Sequence, residues 1–136
     1  MILQSEIQLP EFNRGIHLIT DIIAGQLKNL PETGMLNIFI KHTSAGLTVN
    51  ENYDPSVRED FEVILDRLAP DNSRDYAHTI EGPDDMPAHF KSSVVGHSLM
   101  IPISNGKLNL GTWQGIYLCE FRNRGGRRKL VLTVYS

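Results

Sequence analysis

The chain has 136 residues, 40% hydrophobic and 21% charged. These are the proportions of one ordinary globular domain, spanning residues 1–136, with enough interior for a core. A formal net charge of −3 is too small to point to nucleic acid or an anionic membrane as partner.

One cysteine, Cys119, excludes an intrachain disulfide and fits a reducing, cytoplasmic setting. The opening MILQSEIQLPEFNRG has neither a charged n-region nor a long apolar run, so no signal peptide is expected. No window approaches the ~20 apolar residues of a membrane-spanning helix.

In chain order, ILQSEIQL alternates loosely and predicts a strand. Ile19, Ile23, Leu27 and Leu30 are spaced for one face of a helix that Pro31 and Gly34 end. MLNIFIKH predicts a strand with Leu36, Ile38 and Ile40 on one face and Phe39 on the other, hence one covered on both sides. HTSAGLTVNENYDP follows, combining strand-forming residues with many hydrogen-bonding side chains. Asp54 then caps a second helix, Pro55 suits its first position, and Val57, Phe61, Ile64, Leu65 and Leu68 form an apolar stripe. Residues 70 to 87 are polar and rich in turn formers, and connections of that length are often functional. A third helix is expected from Pro87 to Val95, stopped by Gly96. SLMIPIS, KLNLGTW, GIYLCEF and KLVLTVYS predict strands, with hairpin-like turns at Gly106 and at Gly125-Gly126. The pattern is α+β with three helices and a largely antiparallel sheet.

None of the five histidines, His17, His42, His78, His89 and His97, has a histidine partner at i+4, so any metal site must be built from separate elements. Each can equally be a surface or hydrogen-bonded histidine. His89, Ser92 and Ser93 share a helix face, with Lys91 nearby, and can hold an anion or simply face solvent. Asp84 and Asp85 favour a helix start, and can also orient a metal-bound histidine or join a magnesium site. Gly111 and Gly115 bracket Trp113 and Gln114; the indole can stack on a planar ligand or pack in an interior. Glu120 follows Ile116 and Leu118 inward by alternation and needs a partner there, which makes it a candidate acid, base or metal-orienting group. Cys119 reads as packing. RNRGGRRK reads as a hairpin tip kept soluble by charge, or as a phosphate contact.

Three segments, HTSAGLTVNENYDPSVRED, DDMPAHFKSSVVGHSL and GTWQGIYLCEFRNRGG, occur in that order. Together with RGIHLITD near the start, they resemble the YjbQ-like family across essentially the whole chain. Its members are small proteins described as secondary thiamine-phosphate synthases. The resemblance implies a compact α+β fold, a cytoplasmic homotrimer and a histidine-containing pocket close to subunit boundaries. The implied reaction joins hydroxymethylpyrimidine diphosphate to a thiazole phosphate with release of pyrophosphate. By motif, the pocket would use His42, Asn50, Glu51, His78, His89, Trp113, Gln114 and Glu120. His17 and His97 receive no role.

For that reaction Thr43, Ser44, Lys91, Ser92 and Ser93 would contact the diphosphate, Trp113 the pyrimidine ring, and Glu51 or Glu120 a ring nitrogen or amino group. His42, His78 and His89 would hold a divalent ion. Three imidazoles suit zinc or a similar transition metal, whereas diphosphate chemistry ordinarily employs oxygen-bound magnesium. That conflict opens an alternative, a metal-dependent hydrolase of a small phosphorylated metabolite. A non-catalytic trimeric module binding a phosphorylated ligand or a metal is the third reading.

Overall fold

The computed structural model describes every residue from Met1 to Ser136. In chain order the elements are β1 (Ile2–Gln8), β2 (Gly15–Leu18), α1 (Thr20–Gln26), β3 (Thr33–Ile40), β4 (Ala45–Glu51) and α2 (Pro55–Leu68). Then come α3 (Asp85–Val95), β5 (Ser98–Ser104), β6 (Lys107–Leu108), β7 (Gln114–Glu120) and β8 (Lys129–Tyr135). A five-stranded sheet has the order β1-β8-β3-β5-β6 and a three-stranded sheet the order β2-β7-β4. Every pairing is antiparallel. The α+β class, the three helices and the antiparallel character are as the sequence indicates.

The inner faces of the two sheets meet in one core. Leu36, Ile38 and Ile40 of β3 interdigitate there with Leu47 of β4, Ile101 of β5, Leu118 of β7 and Leu130 of β8. The opposite face of the small sheet is covered by α2 and α3 through Phe61, Leu65, Ala88 and Val95, packed on Ile16, Cys119 and Phe121. The helices therefore lie on the small sheet, and α3 is held against β4.

Several expectations are corrected. The first helix stops at Gln26, because Leu27 is already extended and Asn29 has φ of 55°. Leu27 and Leu30 still reach the core, from a loop. β2 is too short for alternation to reveal. Only Lys107 and Leu108 of KLNLGTW form a strand. The Pro102 carbonyl accepts from Asn109 N on that side, but proline has no N–H to continue the ladder. Residues 121–128 are not a hairpin: β7 and β8 belong to different sheets, and the segment crosses between them. The outer face of β3 is open: Phe39 is 40% exposed, and Met100 and Tyr135, opposite Asn37 and Met35 on the neighbouring strands, are exposed on the same face. The apolar stripe of α2 splits, Phe61 and Leu65 turning inward while Ile64 and Leu68 stay exposed.

Candidate metal centre and adjoining hollow

α3 begins at Asp85, two residues before Pro87. Pro87 is tolerated because the first turn of a helix needs no amide donor there. This start puts Asp85 and His89 one turn apart on the same face. Asp85 Oδ2 lies 3.1 Å from His89 Nε2 and 2.6 Å from Nε2 of His78, which the 70–84 loop folds back over the helix start. The three ligand atoms lie within 4.8 Å of one another.

Arg122, just beyond β7, fixes the carboxylates. Its NH1 meets Asp85 Oδ1, its Nε donates to Asp84 Oδ2 at 2.9 Å, and its NH2 donates to the Glu81 carbonyl at 3.0 Å. Burial by itself pushes the Asp85 carboxyl up, but the His78 hydrogen bond and the charges of His89 and Arg122 outweigh it and hold the group below its ordinary range. At Asp84, burial is likewise outweighed by the Asn123 amide and Arg122.

The tautomer of His89 follows from its other nitrogen. Nδ1 is 2.8 Å from the Thr43 carbonyl, which can only accept, so Nδ1 carries a proton. A neutral ring then turns a bare Nε2 lone pair toward an ionised carboxylate. Something positive belongs between them, either a proton or a cation. An imidazole anchored by Nδ1–H on a carbonyl, with Nε2 free, is the usual orientation of a metal-ligating histidine.

Beside His89 lies a hollow of about 490 Å³ lined by His42, Thr43, Ala45, His89, Ser92, Ser93 and His97. Ala45 is the one hydrophobic lining residue, and no carboxylate is among them. His42 Nε2 accepts from Lys129 N at 2.8 Å, which leaves Nδ1–H as its donor. Burial, then the charge of Arg128, depresses the His42 pKa below its ordinary value.

The predicted site residues thus separate into groups. His78 and His89 meet at Asp85 at the start of α3, and His42, Thr43, Ser92 and Ser93 gather with His89 along the hollow that follows the helix toward its C-terminal end. His42 is not in the ligand set, because its Nε2 is already occupied; Asp85 stands there instead. Lys91 is no diphosphate donor: it is 1% exposed and turns under α2 to Asp66, 2.5 Å away. Ser44 faces inward, with Oγ 3.0 Å from Arg128 NH2. Glu120 is fully buried and gripped by Arg128 at 2.7 and 2.6 Å, which makes it a structural anion. Gly125 is required beside it, because a Cβ there would overlap the Glu120 carboxylate.

Asn50, Glu51, Trp113 and Gln114 lie elsewhere. β4 and β7 pair Ala45 with Glu120 and Glu51 with Gln114, so these residues stand at the opposite end of the small sheet, roughly 20 Å away at ~3.4 Å per residue. Trp113 is exposed there and packs edge-on against Tyr53. The Glu51 carbonyl accepts from Tyr117 Oη at 2.6 Å. One chain therefore does not bring the GTWQ turn to the histidines.

Asp85 reads from sequence as a helix-start residue, a group orienting a metal-bound histidine or a member of a magnesium site, not as a ligand beside two histidines. The D-x-x-x-H spacing of Asp85 and His89 was a usable signal once the helix is started at Asp85. RNRGGRRK suggests a solubilising tip or a phosphate contact, but Arg122 and Arg128 instead pair with buried carboxylates.

Fold and site together define an antiparallel α+β protein with a two-histidine, one-carboxylate cluster at the start of a helix. The profile described as "UPF0047 protein YjbQ-like" matches residues 5–136, and the chain belongs to that family. It is 53% identical to YjbQ of Salmonella typhimurium over 133 residues, covering 96% of each chain. It is 46% identical to YugU of Bacillus subtilis over 96 residues, covering 68% of this chain and 70% of that one. Among solved structures, a conserved hypothetical protein from Thermus thermophilus superposes with a TM-score of 0.82 at 33% identity, covering 97% of this chain and 99% of that one. A protein of unknown function from Sulfolobus solfataricus shares the fold, with a TM-score of 0.82 at 23% identity, covering 98% of this chain and 96% of that one. No helix is long and apolar enough to cross a membrane.

Proposed function

We propose that the chain binds a divalent transition-metal ion through His78, Asp85 and His89 and hydrolyses a small phosphorylated metabolite seated in the adjoining hollow. The observation that carries this reading is the His89 ring, whose Nδ1–H is spent on Thr43 while Nε2 faces the Asp85 carboxylate. Two imidazoles and a carboxylate are the donors that zinc and its neighbours prefer, and they do not suit magnesium. When bound, such an ion supplies a Lewis acid and a water activated near neutral pH.

The protein's own groups do the positioning. Arg122 holds Asp85 in one rotamer, and Thr43 fixes the tautomer of His89. Ser93 and the His42 Nδ1–H are hydrogen-bonding groups for the substrate's oxygens. The size of the hollow is that of a small-metabolite site.

The thiamine-phosphate synthase reading asks in addition for an aromatic surface beside the diphosphate contacts. Within one chain Trp113 stands at the far end of β7, so that reading draws no support from a single protomer. We also infer a cytoplasmic homotrimer. The exposed apolar side chains Phe39, Met100 and Tyr135 on the large sheet, and Ile64, Leu68, Phe90 and Val94 on the helices, support burial against further copies.

The test uses chelator-treated protein reloaded with single metals. Hydrolysis of a panel of phosphate esters is assayed beside thiamine phosphate formation. Metal-restored ester hydrolysis that is lost in His89→Ala is expected. Hydrolysis indifferent to both metal and His89 overturns the reading, and metal-dependent thiamine phosphate formation alone replaces it with the transferase.

A further inference from the structure

We propose that the hollow contains a phosphate-oxygen subsite distinct from the metal ligands, and that His97 is its specificity-determining contact. The proposal deepens the preceding one, because it rests on the substrate lying beside His89.

His97 occupies the junction of α3 and β5. Its backbone carbonyl accepts from Ile40 N at 2.9 Å, which fixes the residue against the end of β3. That end leads directly into His42, so the two imidazoles line the same hollow. The His97 ring is set edge-on to Phe39, with centroids 5.6 Å apart and an interplanar angle of 87°.

The three imidazoles of the hollow have different commitments. His89 is held by Thr43 and Asp85. His42 spends Nε2 on the Lys129 amide. His97 spends neither ring nitrogen on any group of the chain, and no carboxylate lines the hollow to claim one. Ser93 rests its hydroxyl on the His89 carbonyl at 3.2 Å, a weak back-bond within the helix that a ligand oxygen can displace.

A pocket that offers N–H and O–H donors and has no carboxylate favours an oxyanion over a cation or an apolar group. Its ligand is a molecule carrying a phosphoryl group, with the oxygens shared among His97, His42 Nδ1–H and Ser93. The ester bond of that phosphoryl group then faces the His89 side of the same hollow.

The experiment titrates full-length, chelator-treated protein with inorganic phosphate, followed by calorimetry, and repeats the titration with zinc present. Wild type is expected to bind phosphate in both conditions. His97→Ala is expected to bind roughly tenfold more weakly, as for loss of one hydrogen bond to a charged group, with its zinc affinity unchanged. The unchanged zinc affinity shows that the variant is folded. Equal phosphate affinity in wild type and His97→Ala overturns the proposal, as does absence of phosphate binding by wild type with and without zinc. The two readings fail separately. Phosphate binding that depends on His97 in a protein that takes up no zinc leaves the subsite standing and removes the metal centre. Zinc binding with phosphate affinity indifferent to His97 does the reverse.

Discussion

His89 donates a hydrogen bond from Nδ1–H to the Thr43 carbonyl across 2.8 Å, joining α3 to the loop before β4. Ser92 adds a second hydrogen bond to the same carbonyl, also 2.8 Å. Thr43 therefore decides both the angle of the imidazole and which of its nitrogens is left to bind. The neighbouring residue, Ser44, is tied to Arg128, which is tied to Glu120. A buried ion pair in this way holds the loop that holds the ligand.

That linkage gives the first prediction. Arg128→Met removes the partner of a fully buried carboxylate. Leaving one charge unpaired in an interior costs about 3–5 kcal/mol. Denaturant unfolding should show a loss of that order, with Gly125→Ala also destabilising because its Cβ meets Glu120. A Glu120→Gln variant with unaltered stability but abolished turnover would restore Glu120 to a chemical role.

Arg122 acts on the metal centre without being a ligand. It contacts Asp84, Asp85 and the Glu81 carbonyl. Removing such an outer partner commonly weakens metal binding 10–100-fold. Arg122→Gln should show a loss of about that size in zinc competition assays, with its circular dichroism unchanged. Unaltered affinity would mean that Asp85 is oriented by the helix alone.

The pH dependence of stability separates two sets of groups in metal-free protein. Folding depresses the His42 pKa below its ordinary value of 6.5, so the unfolded chain binds the extra proton. The stability contributed by neutral His42 is full above that value and is lost as pH falls through the depressed one. Asp66, Asp84 and Asp85 are held below their ordinary value of 3.8. Their contribution persists above that pH and is lost only as pH falls through the lowered values. His42→Asn should flatten the upper window and leave the lower one intact. An unchanged slope just below neutrality would place His42 in open solvent.

Trp113 is a built-in reporter of distance, being the single tryptophan. With the indole at the Glu51 end of the small sheet, zinc uptake at His89 or phosphate uptake in the adjoining hollow should leave its emission maximum and intensity unchanged. A shift on binding would show that Trp113 does reach the site, as it would if a second copy brought it there.

Much of the fold was legible. α2 was legible because Asp54 and Pro55 mark its start, and Asp54 does accept from Ser56 N at 2.9 Å. Alternation in β3, β5 and β8 was clear because each turns alternate apolar residues into a shared core, and β7, covered on both faces, still shows Ile116 and Leu118 on that core. The start of α3 was misplaced because Pro87 suits the first helical position but here falls in the third. That two-residue difference concealed the Asp85–His89 pairing. The hairpin expected at Gly125-Gly126 was a local signal overruled by sheet membership, which no local pattern encodes. For the site, residue types pointed to the right helix, whereas the roles of Thr43, Arg122 and Arg128 depend on contacts across 37 to 84 residues of chain. Such distances leave no periodic trace.

The most direct measurement is a zinc titration of chelator-stripped protein against a competing chromophoric chelator, in wild type, His78→Ala, His89→Gln and His42→Ala. One ion per chain is expected in wild type and in His42→Ala, with affinity reduced at least a hundredfold in His78→Ala and in His89→Gln, roughly the scale of one or two lost ligand bonds. Zinc uptake equal in all four proteins, or absent from wild type, would contradict the metal centre.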